Sequence, residues 1–211
     1  MRRGEDARKR RREEESTVKV LVLNGSPRPE GNTSRLISII LDAAKDAAGK
    51  SGSGVEVHNV RLNDLSFKGC QGCMKCKKET AKGCEQVDDL TPVLQMMGDS
   101  DAWIVGTPIY MGHMSGQLKL CIDRMYGFSG PNRTMRVPPG KKAVIAMTQG
   151  MQDANAYKSV SDMLAYMLSR RGFTIETVVS GGGSSALPGS GFSKEVEGKA
   201  KAAGAWLAGV N

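Results

Sequence analysis

Four of the five cysteines in this chain fall within fifteen positions, as Cys70-x2-Cys73-x2-Cys76-x7-Cys84. A [4Fe–4S] cube takes one thiolate per iron. The two-residue spacers let a tight loop wrap three sulfurs around one region of the cube, and the longer last spacer lets the chain return to the remaining iron. Gly69, Gly72 and Gly83 permit close backbone approach. Lys68, Lys75, Lys77, Lys78 and Lys82 add positive charge, which favours the more negative reduced cluster and raises its potential. Two other readings of the four residues stay open. One is zinc, although its structural sites usually present two separated cysteine pairs, and the other is a set of free thiols. A disulfide scaffold would scatter its cysteines, so the crowding points to a reducing compartment. Cys121, among apolar neighbours in a helical stretch, reads as a core residue.

A second chemistry is written into residues 24–34, Asn-Gly-Ser-Pro-Arg-Pro-Glu-Gly-Asn-Thr-Ser. The segment follows an apolar run and precedes a helical pattern, so backbone N–H groups gather at a helix start. The hydroxyls of Ser26, Thr33 and Ser34 can donate there, and Arg28 adds charge. No lysine follows the second glycine, which excludes a Walker A loop, and the GxGxxG dinucleotide turn is absent. A monoester phosphate fits what remains, with FMN as the leading candidate.

The elements that must position these loops alternate along the chain. Val18–Leu23 reads as a buried strand, and helical periodicity starts near Thr33, with the Thr33 and Ser34 hydroxyls as caps. A second strand is expected at Val55–Val60. A helix opening at Asp88-Asp89 follows the cysteine loop, which spans 68–86. Strands at Ala102–Gly106, Ala143–Met147 and Phe173–Val179 are separated by helices around Leu118–Tyr126 and over Ala154–Arg170. A last helix covers Ser193–Val210. Five strands alternating with five helices imply an α/β parallel sheet covered on both faces, with ligands beyond the carboxyl ends of its strands. The Gly- and Ser-rich stretch 181–191 reads equally as a surface loop or a lid.

At 211 residues the chain can bury a core as one domain without disulfides. No apolar run approaches the ~20 residues needed to span a bilayer, and the N-terminus lacks the apolar centre of a signal peptide, so a cytoplasmic protein without a membrane partner is expected. Residues 1–16 hold seven basic and five acidic side chains, and read as a flexible, solvated extension to a domain over 17–211. The extension lacks aromatic interleaving and any known motif, which argues against a nucleic-acid arm. Most of the net charge of +8 belongs to the domain, where it can attract a phosphorylated cofactor or an acidic electron carrier.

Taken in order, Asn24-Gly25-Ser26-Pro27-Arg28, Gly31-Asn32-Thr33, Thr107-Pro108-Ile109-Tyr110 and Leu118-Lys119 with Asp123-Arg124 resemble the NADPH-dependent FMN reductase family of flavodoxin-like proteins. The resemblance covers roughly residues 18–150. It implies a three-layer sandwich with five parallel strands in the order 2-1-3-4-5. It also implies that Ser26, Arg28, Asn32, Thr33 and Ser34 hold the FMN phosphate. Pro108, Ile109, Tyr110 and Met111 would line the isoalloxazine ring, with Thr148, Gln149 and Gly150 as a third wall. Met151 departs from the small residues many relatives keep there. The cysteine spacing resembles that of the iron–sulfur flavoprotein branch, although cluster-free relatives also carry cysteines here. Relatives assemble as homodimers or homotetramers with flavins near subunit contacts.

The expected function is electron transfer from a donor such as NAD(P)H through FMN, and through a [4Fe–4S] cluster on Cys70, Cys73, Cys76 and Cys84, to a small-molecule or redox-protein acceptor. The chemistry sits on the flavin, so no side chain is required as a nucleophile. His113 in the third loop could hydrogen-bond the flavin or a substrate, and His58, in a strand, reads as structural. A cluster-free NAD(P)H-dependent FMN or quinone reductase is the alternative. A non-enzymatic zinc or redox-sensing module is a third reading.

Overall fold

A computed structural model describes residues 17–180 and 191–209. The charged segment 1–16, the stretch 181–190 and the last two residues lie outside the described residues, and with them the extension and most of the loop-or-lid segment.

Strand β1 (Thr17–Asn24) leads into helix α1 (Asn32–Lys50), and β2 (Gly54–Arg61) leads through the cysteine loop into α2 (Leu90–Asp99). Strand β3 (Ala102–Tyr110) turns into the two-residue β4 (His113–Met114) before α3 (Gly116–Arg124). Strand β5 (Lys142–Thr148), α4 (Lys158–Ser169), β6 (Thr174–Ser180) and α5 (Lys194–Leu207) complete the chain.

Five strands run parallel in the order β2-β1-β3-β5-β6, which is the expected order. Their side chains alternate between two cores, as period-two geometry requires. Leu21, Leu23, Trp103, Val105, Ile145 and Met147 pack with α2, α3 and α4. Val20, Val22, Ile104, Val144, Ala146 and Val178 pack with α1 and α5. Every one of these strand residues is buried. In the central strands β1, β3 and β5, unbroken apolar runs are therefore needed, and they are what made those strands readable.

Three expectations change. The third strand continues past Gly106 to Tyr110, because Thr107 and Pro108 stay in register with Met147 and Thr148. Its end then folds back on β4, pairing Tyr110 with His113. Met111 (φ 48°) and Gly112 (φ 78°) form the two-residue turn, with both central residues in the left-handed region that suits strand twist. The fourth helix starts at Lys158 rather than Ala154. Asp153 Oδ1 accepts the Asn155 N–H at 2.8 Å and the Asp153 carbonyl accepts the Ala156 N–H at 3.1 Å, a turn that delays the helix. Gly31, not a hydroxyl residue, occupies the N-cap of α1 and gives it no side-chain cap. The Thr33 and Ser34 hydroxyls are engaged elsewhere.

Candidate functional site

The loop after β1 is shaped by its own polar groups. Asn24, buried at the strand end, accepts the Ser26 N–H through Oδ1 at 2.9 Å and donates through Nδ2 to Ser34 Oγ at 3.0 Å. Ser34 Oγ in turn donates to the Arg28 carbonyl at 3.2 Å, and the Arg28 N–H donates to Ser26 Oγ at 3.2 Å. The Gly25 N–H reaches the Gly106 carbonyl at 2.8 Å. A Cβ at Gly25 would lie 2.7 Å from Ser115 Oγ, and one at Gly31 would lie 2.9 Å from the Arg28 Cβ. Both glycines are therefore required by space, not by dihedral angle.

These contacts open a cleft of about 220 Å³ at the carboxyl ends of β1, β3 and β5. It is lined by Ser26, Arg28, Gly31, Asn32 and Thr33 from the first loop, Pro108, Ile109 and Tyr110 from the end of β3, and Thr148, Gln149 and Gly150 after β5. Thr33 Oγ1 and Thr148 Oγ1 share a buried hydrogen bond of 2.7 Å, tying the start of α1 to the end of β5. The Gln149 N–H bonds the Ser180 carbonyl at 3.1 Å, and Nε2 bonds the Asp153 carbonyl at 2.6 Å, which fixes the third wall. Of the twelve residues expected at the cofactor, ten line this cleft. Ser34 is held by Asn24 and the Arg28 carbonyl instead, and Met111 stands fully exposed on its turn. His113 pairs with Tyr110 through the strand and is not among the lining residues. His58, half-exposed on the edge strand, sits 3.0 Å from Glu56. A glycine-shaped cradle of hydroxyls and Arg28 at one end, with an apolar and aromatic wall at the other, fits a ligand with a phosphate tail and a flat ring system.

The cysteine loop lies between β2 and α2. Cys70 and Cys73 are exposed, Cys76 is buried and Cys84 is half-buried. Gly72 (φ 63°) and Met74 (φ 57°) bend the chain through left-handed conformations. Among the described residues, no three of His, Cys, Asp and Glu come together in a group able to hold a metal ion. The donor set fits a cluster in type and number, but its sulfurs are not drawn together.

What holds this loop is a set of cations between it and the end of α3 with the segment that follows. Arg124, buried at the end of that helix, donates from Nε to Cys84 Sγ at 3.1 Å and from Nη1 to the Lys68 carbonyl at 2.9 Å and Asp88 Oδ2 at 2.6 Å. Its Nη2 donates to the Gln86 carbonyl at 3.2 Å. Arg136 Nη1 donates to the carbonyls of Cys76 and Gly127, both at 2.9 Å. Lys77 Nζ donates to the carbonyls of Tyr126, at 2.9 Å, and Ser129, and lies 3.6 Å over the Tyr126 ring. Burial raises the Asp88 carboxyl, but the Arg124 guanidinium and the N–H groups of Lys68 and Leu90 outweigh it and hold the carboxyl below its usual range. Burial pushes the Cys121 thiol up to about 12, against the opposing pull of Arg124.

The profile of the NADPH-dependent FMN reductase family matches residues 18–182, which takes in all of the sheet but Thr17, the cleft and the cysteine loop. The chain belongs to this family. An iron–sulfur flavoprotein of Archaeoglobus fulgidus is 31% identical over 153 residues, 72% of this chain and 70% of that protein. One of Methanocaldococcus jannaschii is 38% identical over 107 residues, so the match spans about half the length of each, 51%. Among solved structures, an azoreductase from Bacillus anthracis superposes with a TM-score of 0.63 at 19% identity, covering 90% of this chain and 98% of that one. At that identity the likeness speaks for the fold, which is that of a flavodoxin-like sandwich.

Sequence reasoning left Arg124, Arg136 and Gly31 without a role. Arg124 carried a readable signal, since it interrupts a helix face otherwise made of Leu118, Cys121, Ile122 and Met125. A charge placed on a buried stripe requires a partner. Which partner it finds was not readable.

Proposed function

We propose that the chain is a flavin-dependent oxidoreductase that holds FMN in the cleft at the ends of β1, β3 and β5 and passes electrons from NAD(P)H to an acceptor. The observation that carries this reading is the convergence of three loops, distant in sequence, on one cleft with a hydroxyl-rich cradle and an apolar wall. FMN, when bound, supplies acceptance of a hydride and release of electrons singly or in pairs. The residues supply position. Ser26, Arg28, Asn32 and Thr33 would bind the phosphate, Pro108, Ile109 and Tyr110 would support the ring, and Thr148, Gln149 and Gly150 would close the third side. Ser34 would act from behind, by keeping the Arg28 carbonyl turned into the loop. Exposed apolar side chains at Tyr110, Met111 and Met151 beside the cleft favour a homodimer or homotetramer in which a second copy covers it.

The finer reading places the chain in the iron–sulfur branch, with Cys70, Cys73, Cys76 and Cys84 holding a [4Fe–4S] cluster. Its support is the donor spacing, the cations around the loop and the names of the relatives. A cluster-free FMN or quinone reductase is favoured by the ungathered sulfurs. Anaerobic reconstitution followed by an absorption spectrum and matched FMN, iron and sulfide analysis separates them. One FMN with about four irons and four sulfides per chain is expected. Flavin without iron would leave the cluster-free reductase, and absence of flavin would defeat both.

A further inference from the structure

Arg124 spends every arm of its guanidinium on the cysteine loop. Three of its bonds go to groups that are not charged partners, namely the Lys68 carbonyl before the first cysteine, the Gln86 carbonyl after the last and the sulfur of Cys84. Asp88 balances its charge at 2.6 Å, and Asp88 Oδ1 also accepts the Leu90 N–H at 3.2 Å, so the network is anchored at the start of α2. The two ends of a segment nearly twenty residues long are thus closed by one side chain. An adjacent packing contact adds to this, because a Cβ on Gly127, three residues beyond Arg124, would sit 2.7 Å from the Cys84 nitrogen.

We propose that Arg124 is a positioning residue for the sulfur loop, closing its two ends and donating to Cys84 Sγ so that the fourth sulfur is held ready for a cluster, whose potential it raises. The inference rests on the iron–sulfur reading given above. Five rigid N–H donors in one plane suit this task, because the bonds diverge from a single buried centre. A lysine at the same place keeps the charge but has one nitrogen, and it cannot reach the sulfur and both carbonyls together. An N–H···S bond withdraws electron density from the sulfur and stabilises the more negative reduced state. Groups that orient metal ligands from behind typically contribute about 10- to 100-fold to metal retention.

The test uses the full chain as Arg124→Gln and Arg124→Lys, with FMN content and far-UV circular dichroism confirming that each is folded. Should Arg124→Gln fail to fold, Arg124→Lys carries the same test. In metal-free protein, hydrogen exchange over residues 66–90 is expected to quicken in both variants, while peptides from α1 and α5 keep wild-type protection. After reconstitution, both are expected to lose iron to a chelator about 10-fold faster than wild type or more, and to show a more negative cluster midpoint potential. Wild-type exchange in the loop, wild-type iron retention in Arg124→Lys, or an unmoved potential in both variants overturns the role given to Arg124. Wild-type protein that binds FMN without iron overturns the cluster reading itself, a result distinct from those.

Discussion

Helix α5 carries two glycines whose surroundings give opposite expectations for the same substitution. Replacing a glycine inside a helix by alanine normally stabilises by about 1 kcal/mol, through backbone entropy. Gly198 is exposed, and a Cβ there would meet nothing within 4 Å. Gly198→Ala is expected to gain that amount, which raises Tm by about 2–4 °C in a chain of this size. Gly204 is buried against α1. Its Cβ would fall 2.9 Å from the Ala43 Cβ and 3.1 Å from the Ala44 nitrogen, and closer still to the Ile40 carbonyl oxygen. Because the obstructing atoms are mostly backbone, no rotamer change relieves them, and the overpacking cost sits near the top of its usual range, about 3 kcal/mol. Subtracting the propensity gain of about 1 kcal/mol leaves a loss of about 2 kcal/mol, or a Tm lower by about 4–8 °C. Thermal unfolding followed by far-UV circular dichroism measures both. The consequence reaches the cleft, since α1 carries Asn32 and Thr33 on its first turn, so FMN affinity is expected to fall in Gly204→Ala and hold in Gly198→Ala. A Gly204→Ala protein as stable as wild type would refute the packing argument.

Arg28→Ala is expected to weaken FMN binding by about 10- to 100-fold, the worth of a charge-assisted hydrogen bond of roughly 1.5–3 kcal/mol; flavin fluorescence titration reads this, and a change under twofold would remove Arg28 from the phosphate site. Asp88 has its carboxyl lowered in the folded state, so its contribution to stability is complete above the unfolded value of about 3.9 and is lost as pH falls through the lower folded value. Denaturant titrations should therefore show Asp88→Asn less stable than wild type at neutral pH and converging with it below about pH 3.9; a gap that persists in strong acid contradicts the linkage. In folded, metal-free protein at pH 8, a thiol reagent should modify exposed Cys70 and Cys73 and leave Cys121 untouched until denaturant is added, since Cys121 is buried and its thiol is raised to about 12.

The sequence determined those features that consecutive residues encode. The central strands of the sheet were legible because a strand buried on both faces must be an unbroken apolar run, as Val20–Leu23 and Ala143–Met147 are. The polar loop after β1 was legible because its hydroxyls and glycines lie within eleven positions between a strand and a helix. The four cysteines were legible from spacing alone. What only tertiary structure decided are relations between distant residues, whose partners are chosen by packing and not by periodicity. Thr33 meets Thr148 across 115 positions because parallel strands bring their carboxyl ends to one edge. The start of α4 moved because the Asp153 side chain and carbonyl close a turn first. Ser34 was read as a phosphate donor from its type, yet Asn24 and the Arg28 carbonyl take its hydroxyl. The cysteine motif gave the number and order of four sulfurs, but their placement depends on bonds from Arg124 and Arg136 to the loop and from the loop's Lys77 to the segment after α3, which form only once α3 docks on the sheet.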